Sequence, residues 1–92
     1  MNQANLYATL ADSRCSVLMF EDHPNFFGNW RALFNCKKQT FEVVSDHREG
    51  WLTLWRHSPD GPRQSVFEVE SGTLDEASEL ATLEMWLANL EH

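Results

Sequence analysis

Trp51 to Trp55, WLTLW, sets two tryptophans four positions apart with a leucine beside each. As a strand, this stretch is apolar on both faces. Similar strand-like runs lie at about 30–36, 40–46 and 64–70, separated by turn signals. The clearest turn is Ser58 to Pro62, where Pro59, Asp60 and Gly61 suit a three-residue hairpin loop with a glycine bulge. That loop sets Ser58 opposite Pro62, so Trp55 faces Ser65, Thr53 faces Phe67 and Trp51 faces Val69.

The same parity extends across the other strands. A loop at 46–50 puts Phe41 and Val43 on the tryptophan side, and a four-residue loop from Lys37 to Thr40 adds Trp30, Ala32, Phe34 and Cys36. One face is then almost wholly apolar. The other carries Leu33, Val44, Leu52, Leu54 and Val66, bordered by Arg31, Glu42, Glu68 and Glu70. Such a face is too apolar for ordinary solvent and too charged for a core.

From residue 71 onward the period changes to that of a helix. Ala77, Leu80, Leu83, Leu87 and Leu90 recur at spacings of three and four, with Trp86 on the flank. Thr73 and Glu76 stand at capping-box spacing, and Asp75, Glu79 and Glu84 form an acidic outer side without a cation. Near the other end, Leu6, Tyr7 and Leu10 fall at helical spacing, while Cys15 to Phe20 reads either as a fifth strand or as a continuation of that helix. The pattern as a whole predicts one α+β domain over 1–92: a four- to five-stranded antiparallel meander packed against a C-terminal helix, with a short N-terminal helix. Residues 1–27 are the intramolecular candidate to cover the second face.

Composition bounds the class. Ninety-two residues suit one core, and a hydrophobic content of 42% argues for folding despite a net charge of -7. No run approaches the length of a membrane span, which leaves a cytoplasmic protein without membrane contact as the expectation. Two cysteines fall short of a disulfide scaffold, so Cys15 and Cys36 are expected to be reduced. Leu90, Glu91 and His92 match the start of a common C-terminal affinity tag and are discounted as tag residues.

Charge is placed unevenly. Residues 1–63 hold seven acidic and seven basic side chains, whereas residues 64–92 hold seven acidic and none basic. That distribution disfavours nucleic acid and suits a basic protein partner. The tryptophans, expected under the helix, are also withdrawn from base stacking.

Chemical motifs are sparse. His23, His47 and His57 sit at predicted turns or strand ends, no C-x-x-C or H-x-x-x-H pair suggests a metal, and no serine lies in a nucleophile-elbow context. Asp46, His47 and Glu49 are the densest ionisable cluster, a candidate ligand or acid–base site within what otherwise reads as a polar turn. No cofactor or metal is implied. The expected function is therefore non-enzymatic: an acidic adaptor, inhibitor or immunity-type protein. Its interaction surface would comprise Leu33, Val44, Leu52, Leu54, Val66, Asp75, Glu79 and Glu84, engaged by a partner or by a second copy in a homodimer. The alternative is a small-ligand or catalytic pocket near the 46–50 turn, lined by Trp51 and the 23–29 loop.

Overall fold

The computed structural model describes residues 1–70 and 74–90. Helix α1 (Gln3–Asp12) is followed by five strands, β1 (Ser16–His23), β2 (Asn29–Cys36), β3 (Gln39–Asp46), β4 (Trp51–Ser58) and β5 (Gly61–Glu70), and by helix α2 (Glu76–Ala88). The strands form one antiparallel sheet in chain order. This is the expected α+β meander, with residues 16–23 resolved as a fifth strand.

Both helices lie on the same face of the sheet. Leu6 and Leu10 of α1 and Leu83, Trp86 and Leu87 of α2 join Trp30, Ala32, Phe34, Phe41, Val43, Leu52 and Leu54 in a single core. The expectation that residues 1–27 would cover the second face is thereby corrected. Among the described residues, no helix lies over the opposite face.

The largest correction concerns β4. Asp46 pairs with Trp51, so the loop spans only 47–50, and Val43 faces Leu54 while Ser45 faces Leu52. One residue less in a loop turns every following side chain to the other face. Leu52 and Leu54 are fully buried under the helices, whereas Trp51, Thr53 and Trp55 line the open face.

On the far side of β4, Pro59 and Asp60 make a two-residue loop that sets Ser58 against Gly61. Trp55 still faces Ser65 as expected, but Val66 is the extra residue of a bulge, so Phe67 faces Leu54 and Val69 faces Leu52. Phe67 and Val69 thus lie beneath α2 as expected, alongside the leucines instead of the tryptophans. Between β2 and β3 the loop is Lys37–Lys38, with Cys36 opposite Gln39. Both lysines have positive φ, 53° and 66°, the backbone of a type I′ turn that asparagine and glycine usually occupy. Two residues in place of the four expected leave the parity of β2 and β3 unchanged.

Asp75 caps α2, its side chain accepting from the Ser78 amide at 2.8 Å; the expected cap, Thr73, lies outside the described residues. Leu80, Leu83, Leu87 and Leu90 of the expected stripe pack on the core with Trp86, but Ala77 is exposed and Glu79 is buried in its place. Leu90 packs against the core and so behaves as part of the fold, while Glu91 and His92 lie outside the described residues. Cys15 and Cys36, expected as free thiols, form a disulfide with their Cα atoms 4.5 Å apart. Strand β2 ends beside the α1–β1 turn, bringing the two cysteines into bridging range although 21 positions separate them.

Candidate functional site: the open sheet face and its aromatic end

The open face is built around Glu42. Its side chain is only 4% exposed although no described element lies above it, because two arginines and an imidazole fold over it. Arg31 donates at 3.0 Å, Arg63 at 2.9 Å, and His57 Nε2 lies 2.8 Å away. Arg31 also grips Glu21 through two bonds of 3.2 and 3.1 Å, and Arg63 stacks on the Trp55 ring at 4.0 Å. Burial raises the Glu42 carboxyl, but the hydrogen bonds from His57, Arg63 and Arg31 outweigh it and hold the group below the usual carboxylate range. Leu33 and Val44 flank this network half-buried, as expected for that face.

At the end of the sheet carrying the β1–β2 and β3–β4 loops, large apolar side chains reach solvent: Phe26 is 51% exposed, Phe27 59% and Trp51 40%. The Phe26 and Phe27 rings meet edge to face at 5.0 Å, and Arg48 lies 5.9 Å from the Phe27 centroid. Asn29 ties the two loops together, accepting from the His47 amide at 2.7 Å and donating to Asp46 at 3.4 Å. Beside them is a cavity of about 530 Å³ lined by residues that include His23, Phe26, Arg31, Val44 and Asp46. Arg31 already spends its described hydrogen bonds on Glu21 and Glu42. Asp46 Oδ1 accepts from the amides of Arg48 and Glu49. The recess therefore has apolar walls and an internally satisfied polar rim.

The three residues of the polar turn do not converge. Asp46 holds the turn and borders the cavity, Glu49 is exposed, and His47 turns beneath the sheet end to Glu79, 3.2 Å away. Glu79, expected on the outer acidic side, is 2% exposed and also accepts from Trp30 Nε1 at 3.3 Å and from the Ser45 hydroxyl. Ser45 is fully buried and bonds the carboxylate instead of the imidazole. It is placed as a tie between sheet and helix, without access for a nucleophile. Of the expected surface, Leu52, Leu54 and Glu79 are core, Asp75 is a helix cap, Glu84 is exposed, and Leu33, Val44 and Val66 are half-buried.

Sequence reading missed the role of Glu42, the partners of His47 and His57, and the exposure of Trp51. The partners lie on other elements, 15 positions away for His57 and 32 for His47, so local spacing carries no sign of them. Parity could have found Trp51 had the loop lengths been known. Among the described residues, no three His, Cys, Asp or Glu are grouped to hold a metal ion, and no helix is long and apolar enough to cross a membrane. Comparison with protein-family models, curated proteins and solved structures gives no match.

Proposed function

We propose that this chain is a small acidic protein-interaction domain, of adaptor, inhibitor or immunity type, working through the open face of its sheet. One observation carries the reading. Both helices pack on one face, leaving Trp51, Val44 and Leu33, with Phe26 and Phe27 at the loop end, beneath no other described element. Aromatic side chains around a shallow recess are the usual anchors of a protein contact. A basic partner fits best, because the last third of the chain holds seven acidic and no basic residues.

The two tryptophans of β4, Trp51 and Trp55, do lie on the open face, which restores a stacking surface. However, Glu21, Glu42, Glu68 and Glu70 share that face, and both of its arginines are held by Glu42, so phosphate backbone is disfavoured. The disulfide weighs against the expected cytoplasmic location, since such bonds persist in oxidising compartments. Labelling of the native protein with a thiol reagent decides that point.

Affinity capture from the source organism's lysate tests the main reading. Wild type should retain a partner that Trp51→Ala and Phe26→Ala each lose, and light scattering should report whether that partner is a second copy. A monomer that captures nothing would sink the proposal. A second reading, a small apolar ligand in the recess, is favoured by the cavity of about 530 Å³, a size typical of ligand sites. Saturable amide shifts at Phe26 and Val44 on titration with indole would support it.

A further inference from the structure

Strand β5 ends the sheet, and among the described residues no backbone pairs with its free side. Exposed edges are usually shortened, bulged or guarded by charge. The first half of β5 has such guards in Pro62 and the bulge at Val66. The second half, Phe67 to Glu70, runs in regular register against Leu54 to Trp51.

Along that half the side chains alternate in kind. Phe67 and Val69 face the helix layer half-buried, Phe67 stacking on Trp86 with centroids 5.6 Å apart. Glu68 and Glu70 project onto the open face, exposed, and neither has an ion-pair or hydrogen-bond partner among the described residues. The other edge differs. In β1 a bulge interrupts the pairing between Val17 and Met19, and Glu21 is neutralised by Arg31. Among the described residues, only the end of β5 combines unused backbone groups, apolar contact area and uncompensated charge.

We propose that this edge, from Phe67 to Glu70, accepts an extended segment of a partner as a sixth strand, with apolar and basic side chains alternating along it. The apolar ones would extend the Phe67–Val69 side, and Lys or Arg would lie beside Glu68 and Glu70. A second copy brings the wrong charge, because its residues 64–92 carry no cation and its Arg63 is held by Glu42. The inference rests on the protein-interaction reading and names its mode.

Amide shifts of the whole chain on titration with a capped hexapeptide of alternating valine and lysine provide the test. Saturable shifts centred on Phe67 to Glu70 are expected. The double variant Glu68→Lys, Glu70→Lys, which alters only exposed positions, should weaken binding by about tenfold or more. N-methylation of alternate peptide residues should abolish binding by removing its strand hydrogen bonds. Equal binding by the glutamate version of the peptide, equal binding after N-methylation, or no saturable shift at millimolar peptide would each overturn the inference. Phe26→Ala separates it from the broader reading: this variant should lose the lysate partner and leave peptide binding unchanged. Shifts confined to Phe26, Phe27 and Trp51 would overturn the edge while leaving the open face as the interface.

Discussion

Two buried glutamates, one on each face of the sheet, determine much of what individual substitutions will do. Glu79 satisfies Trp30, Ser45 and His47 from within the helix–sheet interface. Glu79→Ala removes the acceptor and leaves the Trp30 N–H and Ser45 hydroxyl buried without it, which should cost about 2–4 kcal/mol. Urea denaturation checks this: the midpoint should fall with little change in slope, and a loss within error of zero would show that the cluster is dispensable. Glu42 bears on pH. Because its folded pKa is depressed, it contributes stability at pH above its unfolded value, and that contribution is lost as pH falls through the folded one. Asp75, lowered by the Ser78 amide, and Glu21, lowered by Arg31, act in the same direction. Urea midpoints measured from neutral to strongly acidic pH should therefore fall on the acid side, and Glu42→Gln should be less stable at neutral pH with a shallower acid decline. An unchanged acid slope in that variant would remove Glu42 from the account.

Strand β4 shows where sequence reading succeeds and where it stops. The existence of β2 to β5, the C-terminal helix, and the pairing of Trp30 with Phe34 and of Phe41 with Val43 on one face of their own strands follow from periodicity, which needs only neighbouring residues. The face assigned to β4 depends on counting through loops. A loop of 47–50 instead of 46–50 exchanges the fates of its leucines and tryptophans, and a bulge at Val66, with no glycine or proline to announce it, sets Phe67 and Val69 beside the leucines. The Lys37–Lys38 turn shows the same limit, since nothing in two lysines signals positive φ. The candidate site was legible only as a location, the 23–29 and 46–50 loops. Its content was hidden because Glu42, Arg31, His57 and Arg63 meet from four strands. A paired substitution tests the corrected register. Leu54→Ala, at a fully buried position, should cost about 2–5 kcal/mol, while Trp51→Ala, which removes the larger side chain, should cost less than about 1 kcal/mol. The opposite ranking in urea midpoints would return the tryptophans to the core.

At the scale of the whole molecule, one layer of two helices on a five-stranded sheet leaves the sheet's second face and the end of β5 without cover from the described residues. That openness limits the apolar area available to the core, so the fold draws on a covalent tie. Cys15 and Cys36 enclose β1, the aromatic loop and nearly all of β2, and thereby fasten α1 to the sheet whose loops present Phe26 and Phe27. Closing a loop of this length should stabilise the chain by about 3 kcal/mol, chiefly by restricting the unfolded state. This is a large share of the stability of a small domain. Urea denaturation with and without reductant should show that difference, and the double variant Cys15→Ser, Cys36→Ser should match the reduced protein and ignore reductant. If the wild type is equally stable under both conditions, the bridge contributes nothing and the core of Leu6, Leu10 and Leu83 holds α1 unaided. If it loses the expected amount, the aromatic loop should lose order with it, and capture of the partner through Phe26 should weaken under reducing conditions.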